Sequence, residues 1–440
     1  MEIQRDIIND LNRWKESRYR KPLVLQGARQ VGKSFILKQF GAQCFANCCY
    51  VNFDFEREHK TEFARSKDPA RIVAYLQAIK GMEITPEKTL IIFDEIQECN
   101  DALNSLKYFR ELMPDQAVVC AGSLLGVALK REGASFPVGN VDFQTLYPVS
   151  FKEFLACYDE KLSHFLEDSV SSSILEKIPE IFHTQLIEAY KIYLCCGGMP
   201  ETIVRYLANR DWREVDTVNN QILTAYPLDF AKHIDSKDIP RLQRLWQNIQ
   251  DNLAKEDRKF RYSLIEKNAR GREYENSVEW LVLSGLANRI FAIDTLRLPL
   301  SSCKDSNAFK LYLADSGLLR TKFRLAPATI LQGDRLFTEF KGILTENYVL
   351  QSLVRQFGTD IFYWTSGNQA EVEFVLQHSE MIIPVEAKSA LSTKGKNLSE
   401  YRKKYQPELA LRFSLKNIEK NDDLLNLPLY LADYTERLFC

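Results

Sequence analysis

No run of about 18 apolar residues, the length a helix needs to cross a bilayer, occurs in this sequence. Its opening segment, MEIQRDIINDLNRWKESRYRKPL, has no apolar signal stretch and reads as an amphipathic helix, so the expected compartment is the cytoplasm and no membrane partner is expected. No CxxC pair occurs among the ten cysteines, and the five histidines (His59, His164, His183, His233, His378) lie far apart, which argues against a structural zinc site. The cysteines sit in apolar runs such as FANCCYVNF and YLCCGG, a pattern of reduced core thiols and not of a disulfide framework. Net charge is nearly absent too. With 58 Lys and Arg against 59 Asp and Glu, the chain is not one that coats nucleic acid through its whole surface. A local basic excess remains between Arg241 and Arg272, formed by Arg241, Arg244, Lys255, Arg258, Lys259, Arg261, Lys267, Arg270 and Arg272.

What is present begins with length. The 440 residues, 45% of them apolar, are enough for roughly three domains of ordinary size. Near the start, Pro22 to Gln26 reads as a buried strand and KSFILKQFG, from Lys33, has helical spacing. Between them Gly27-Ala28-Arg29-Gln30-Val31-Gly32-Lys33-Ser34 matches G-x-x-x-x-G-K-[ST], with Phe35 following. Such a loop turns backbone N–H groups and a helix N-terminus toward phosphate oxygens. Lys33 is then expected to reach the outer phosphates, and Ser34 to offer its hydroxyl to Mg²⁺.

A second half supports the first. KTLIIFDEIQEC is an apolar strand from Thr89 to Phe93 that ends in Asp94-Glu95. A carboxylate at a strand tip beside a phosphate loop can hold Mg²⁺, and its neighbour can take a proton from water. Asp94 is therefore assigned to the metal and Glu95 to water activation. Another strand, QAVVCAGSLLG, carries Ser123 at its tip, either as a γ-phosphate sensor or as a turn serine.

These motifs, with GSLLG, VDFQTLYPVSFKEFL, GGMPETIVRY and KLYLADSGLL, resemble a large prokaryotic family of AAA-type ATPases known chiefly as predicted ATP-binding proteins. The resemblance covers nearly the whole chain. It implies an α/β fold: an AAA-type P-loop NTPase core with a helical lid, followed by a winged helix and a restriction-endonuclease-like α/β domain of unknown function. ATP, in preference to GTP, is implied by the resemblance alone. Many members place an arginine after a glycine just before the LYP segment; here the stretch is FPVGNVDF, with Asn140, and Arg131 is the nearby substitute for an arginine finger. The oligomeric state is left open.

The resulting division is a core at residues 1–150, a lid at 151–235, a winged-helix module at 236–325 and an endonuclease-like domain at 326–440. In the module, a helix near Gly271 to Ser284, with Trp280 and Leu281 buried, is the candidate for a DNA major groove. The basic excess beside it favours duplex DNA as partner, while a solvated face used in domain packing explains it equally. Farther on, Glu346 on a helix, Glu373 on a strand beside Glu371, and Glu386-x-Lys388 on the next strand resemble the acidic site of endonucleases, where acids hold Mg²⁺ and a lysine orients water. The usual middle residue is aspartate, so Glu373 points to a degenerate, structural version of that site. Three functions follow. The leading one is a Mg²⁺-dependent ATPase coupled to movement of the C-terminal domains, acting on DNA. The alternatives are an ATP-gated switch that recruits a protein partner, and an ATP-licensed DNA nuclease.

Overall fold

The computed structural model describes residues 2–122, 139–171, 175–234, 236–332, 338–367, 370–389 and 395–439. Contacts divide the chain into two compact units. One comprises Arg5–Tyr147 with Leu283–Gly285; the other comprises Met1–Gln4, Pro148–Val282 and Leu286–Cys440.

In the first unit, apolar runs become strands of one parallel sheet: β1 (Leu23–Gln26), β2 (Asn47–Asn52), β3 (Thr89–Asp94), β4 (Val118–Ala121) and β5 (Asp142–Thr145). Their order is β2-β3-β4-β1-β5. Every residue of β3 is buried, as a strand covered on both faces requires, whereas β5 at the edge alternates between half-buried and exposed. Helices α1 (Ile7–Glu16), α2 (Lys33–Cys44), α3 (His59–Arg65), α4 (Pro69–Lys80) and α5 (Asn100–Leu112) accompany the sheet. Local chemistry sets the limits of α4: Asp68 caps its start, Pro69 takes the first position, and Gly81, left-handed, ends it. All four pairings are parallel, so the chain leaves β1 and β3 at the same edge of the sheet, with β4 between them.

The second unit begins with helices α6 (Phe151–Tyr158), α7 (Glu160–Ser171), α8 (Glu180–Cys196), α9 (Pro200–Asn209) and α10 (Trp212–His233). This segment, expected as a lid on the nucleotide core, is grouped with the C-terminal residues. Two motifs without evident chemistry account for the grouping. In YPVSFKEF, Ser150 and Glu153 form a reciprocal capping box at the start of α6. The Glu153 carboxylate also accepts from Arg355 at 3.0 Å, and Val149 donates its N–H to Gly198 at 2.7 Å. In GGMPE, Gly197 and Gly198 lie so close to Asp315, Gly317 and Val149 that an added Cβ would come within 2.3 Å of a neighbouring atom in each case. Pro200 is the first residue of α9, where its missing N–H costs nothing.

Next come α11 (Ile239–Leu253) and α12 (Gly271–Leu283), with a single 3₁₀ turn at Tyr262–Leu264 between them. Helix α12 buries Tyr274, Ser277 and Val278 in addition to Trp280 and Leu281. Strands β6 (Ala287–Ile293) and β7 (Lys304–Leu313) form an antiparallel pair. They are followed by α13 (Ser316–Lys322), α14 (Pro327–Gln332), α15 (Thr338–Phe357), β8 (Phe362–Thr365), β9 (Glu371–His378), β10 (Met381–Ala387), α16 (Lys396–Tyr405), β11 (Ala410–Ser414), β12 (Glu419–Asn421) and β13 (Leu424–Pro428). The eight strands form one mixed sheet in the order β12-β13-β11-β10-β9-β8-β6-β7. It therefore crosses the expected boundary at residue 325, because β6 pairs with β8 in parallel. The described cysteines are all free thiols. Among the described residues no helix is long and apolar enough to cross a membrane.

Candidate functional site

The loop after β1 is built from conformations that side chains resist. Gly27 leaves the strand at φ +143°, Gln30 sits at +68° and Gly32 at +95°. A Cβ on Gly27 would lie 2.2 Å from the Leu146 carbonyl oxygen, so only glycine fits. Gly32 is the N-cap of α2 and contributes no side-chain acceptor, and the first turn holds no acid. No side chain therefore caps the opening of the helix, the condition under which its N–H groups take an anion.

Within the loop the side chains divide. Ala28 and Val31 are buried, Arg29 and Ser34 are half-buried, and Gln30 and Phe35 are exposed. Lys33 is 8% exposed and donates to the carbonyls of Gly27 at 2.9 Å and Ala28 at 2.8 Å, so its ammonium lies over the loop. Two contacts had no signal in the sequence. Buried Arg5 donates to the Val31 carbonyl at 3.3 Å and the Tyr147 carbonyl at 2.6 Å, which ties the loop to the chain after β5. Gly285, at φ +72°, lies against the loop, where a Cβ would be 3.1 Å from the Ala28 nitrogen.

Asp94 ends β3, buried to 3% exposure. Glu95 follows in the left-handed region at φ 49°. Burial pushes the Glu95 carboxyl pKa up; the Gln97 amide, donating at 2.5 Å, draws it down, Asp94 raises it, and Lys33 and Arg29 lower it. The influence of Lys33 and Arg29 on Glu95 marks the meeting of the two motifs that the sequence paired. Asp94 and the Ser34 hydroxyl are hard oxygen donors, which suit Mg²⁺. Among the described residues no cluster of three or more His, Cys, Asp or Glu could hold a metal by itself. Mg²⁺ carried in with a nucleotide does not need one, since it takes one or two protein ligands, with phosphates and water completing the shell. Ser123 and Arg131 lie outside the described residues. Asn140, in the expected arginine position, accepts a hydrogen bond from Arg110 at 2.7 Å.

Residues 19–155 match the family model of the AAA domain, and they contain both motifs and the parallel sheet. This segment is an AAA-type P-loop ATPase domain. Beyond the AAA domain, residues 187–329 and 341–430 match two domains of unknown function (DUF8612 and DUF4143). No curated protein matches the sequence. Among solved structures, the chain is similar to the Walker-type ATPase of Pyrococcus abyssi at 16% identity, over 73% of this chain and 96% of that one, with a TM-score of 0.45. It is also similar to the ORC2 protein of Aeropyrum pernix at 11% identity, over 80% and 95% of the two chains, with a TM-score of 0.32. For RuvB of Thermotoga maritima the values are 13%, 65%, 89% and 0.31. These likenesses are loose.

In the second unit the four residues of the expected acidic site come together, already neutralised. Glu346 is held by Arg258 at 2.9 Å and by the Tyr312 hydroxyl at 3.2 Å. Lys388 bridges Glu373 and Glu386, each at 3.2 Å, and Arg412 holds the other Glu386 oxygen at 2.7 Å. Gly395 closes over Glu386, where a Cβ would lie 2.4 Å from its oxygen. Burial pushes the Glu373 pKa up to about 7; Lys388 opposes the shift, and Glu346 and Glu386 add to it. Glu371 is partly buried and paired with Lys310.

Four residues of the basic segment are likewise paired. Arg241 meets Asp238, Arg244 meets Glu266, Arg258 meets Glu346 and Arg261 meets Asp257. Lys255, Lys267, Arg270 and Arg272 are exposed. On α12, the candidate for a DNA groove, Glu275 and Asn276 are exposed and Glu273 and Glu279 are half-buried.

Proposed function

We propose that this chain is a Mg²⁺-dependent ATPase whose hydrolysis cycle is coupled to movement of its C-terminal domains. The observation that carries the reading is the convergence of an uncapped helix start, Lys33 and the Asp94-Glu95 pair at one edge of the parallel sheet. The amides of residues 27–35 and the Lys33 ammonium would bind the phosphates, and Ser34 and Asp94 would hold the metal. Bound there, Mg²⁺ would neutralise charge on the outer phosphates. Glu95, its affinity for a proton raised by burial, is suited to accept one from water, and Gln97 fixes the direction of its carboxylate. The direct test is phosphate release from ATP with Mg²⁺ and with chelator. Release should require the metal and disappear in Lys33→Ala; turnover in that variant at the wild-type rate overturns the reading.

A second observation favours a protein partner over DNA for the C-terminal segments. Four of the basic residues that suggested phosphate contacts are engaged with carboxylates, and on α12 the exposed Arg272 is offset by the exposed Glu275. Arg258, Lys388 and Arg412 pair with the carboxylates of Glu346, Glu373 and Glu386, which supports a structural role for that cluster.

A further inference from the structure

Asp94 is gripped from the neighbouring strand by a residue that none of the motifs contains. In the parallel register of β2 with β3, Tyr50 stands opposite Ile92 and Asn52 opposite Asp94. The Tyr50 hydroxyl donates to Asp94 Oδ2 at 2.6 Å, and Asp94 Oδ1 accepts the Glu95 N–H at 3.0 Å. The phenol oxygen is itself held by Asn52 Nδ2 at 3.2 Å. Asn52 is fixed in turn, because its Oδ1 accepts the N–H groups of Asp54 and Phe55, each at 3.0 Å. Over the ring, the Lys38 ammonium of α2 lies 3.8 Å from the centroid. One side chain thus touches both the helix that begins at the phosphate loop and the carboxylate that ends β3.

The chemistry of this donor matters. A phenol ordinarily titrates at about pH 10, so the Tyr50 hydroxyl is a neutral donor near neutrality. A neutral donor fixes a carboxylate without cancelling its charge. An arginine or lysine there would fill the carboxylate's electrostatic need and compete with a metal ion. The second unit of the same chain provides the contrast, since Arg258, Lys388 and Arg412 neutralise its acids.

Resting on the ATPase reading above, we infer that Tyr50 is a positioning residue for the metal carboxylate, holding Asp94 in one orientation with its charge intact. Partners of this kind, one bond removed from a metal, are worth about 10–100-fold in metal affinity.

The test is binding of a fluorescent ATP analogue to the full chain, titrated with Mg²⁺, in wild type, Tyr50→Phe and Lys33→Ala. Tyr50→Phe keeps the ring and its contact with Lys38, and thermal melting of the nucleotide-free protein reports whether folding is intact. Expected are unchanged affinity for metal-free nucleotide and an increase of about tenfold in the Mg²⁺ concentration needed to tighten binding. An unaltered Mg²⁺ requirement, or an equal loss of affinity with and without metal, overturns the role of Tyr50 while the ATPase reading stands. Wild-type protein that does not bind nucleotide, or Lys33→Ala that binds as wild type does, overturns both.

Discussion

At the residue scale, the loop side chains were legible because their positions obey a spacing rule: two glycines where the backbone turns left-handed, then lysine and serine at a helix start. Asp94 and Glu95 were legible because an unbroken apolar run stops at them. Tyr50, Asn52 and Arg5 were not, since each acts through contacts that no local pattern encodes. The environment of Glu95 yields a pH prediction. Burial raises its pKa, so the acid limb of activity should lie above the ordinary glutamate value of about 4.3. The Gln97 amide donates to the ionised carboxylate and favours it. Gln97→Ala should therefore move the limb of a kcat/KM profile to higher pH; a limb moved downward or unmoved contradicts the assigned base.

At the element scale, β1, β3 and β4 followed from apolar runs, and α2 from the helical spacing after Lys33. The motifs YPVSFKEF and GGMPE resisted reading because what they do is join distant segments. Arg355, on α15, supports the start of α6 by holding Glu153, and both side chains are largely buried. Arg355→Ala leaves that carboxylate without its cation and should cost about 3–5 kcal/mol of stability. Urea unfolding measures this, and a loss near zero would show that the pair does not secure the helix. The continuity of the mixed sheet across residue 325 had no signal in the sequence for a related reason. Only the pairing of β6 with β8 reveals that β6 and β7 extend a sheet whose remaining strands lie beyond residue 361.

At the scale of the whole molecule, near-neutral charge and the pairing of Arg241, Arg244, Arg258 and Arg261 carry an expectation about partners. Duplex DNA should show no salt-sensitive binding at about 50 mM salt, where phosphate contacts are strongest. Steep salt dependence would restore the DNA reading. The Glu346, Glu373, Glu386 and Lys388 cluster supplies a second expectation. Between the ordinary glutamate value and about 7, the folded chain retains a proton on Glu373 that the unfolded chain has released. Its contribution is thus present at the acid end of this window and is lost as pH rises through about 7. Comparing urea midpoints at about pH 5 and about pH 8, Glu373→Gln should lose less stability on alkalinisation than wild type. Equal losses would show that Glu373 does not carry the shifted proton.

The central claim is that one loop binds the triphosphate and one half-buried acid turns it over, and Glu95→Gln separates the two steps. ATP binding and single-turnover phosphate release should be measured together in this variant. The account predicts binding close to wild type with release slowed by about 10²–10⁴-fold. Release at the wild-type rate, or loss of binding along with turnover, would contradict it.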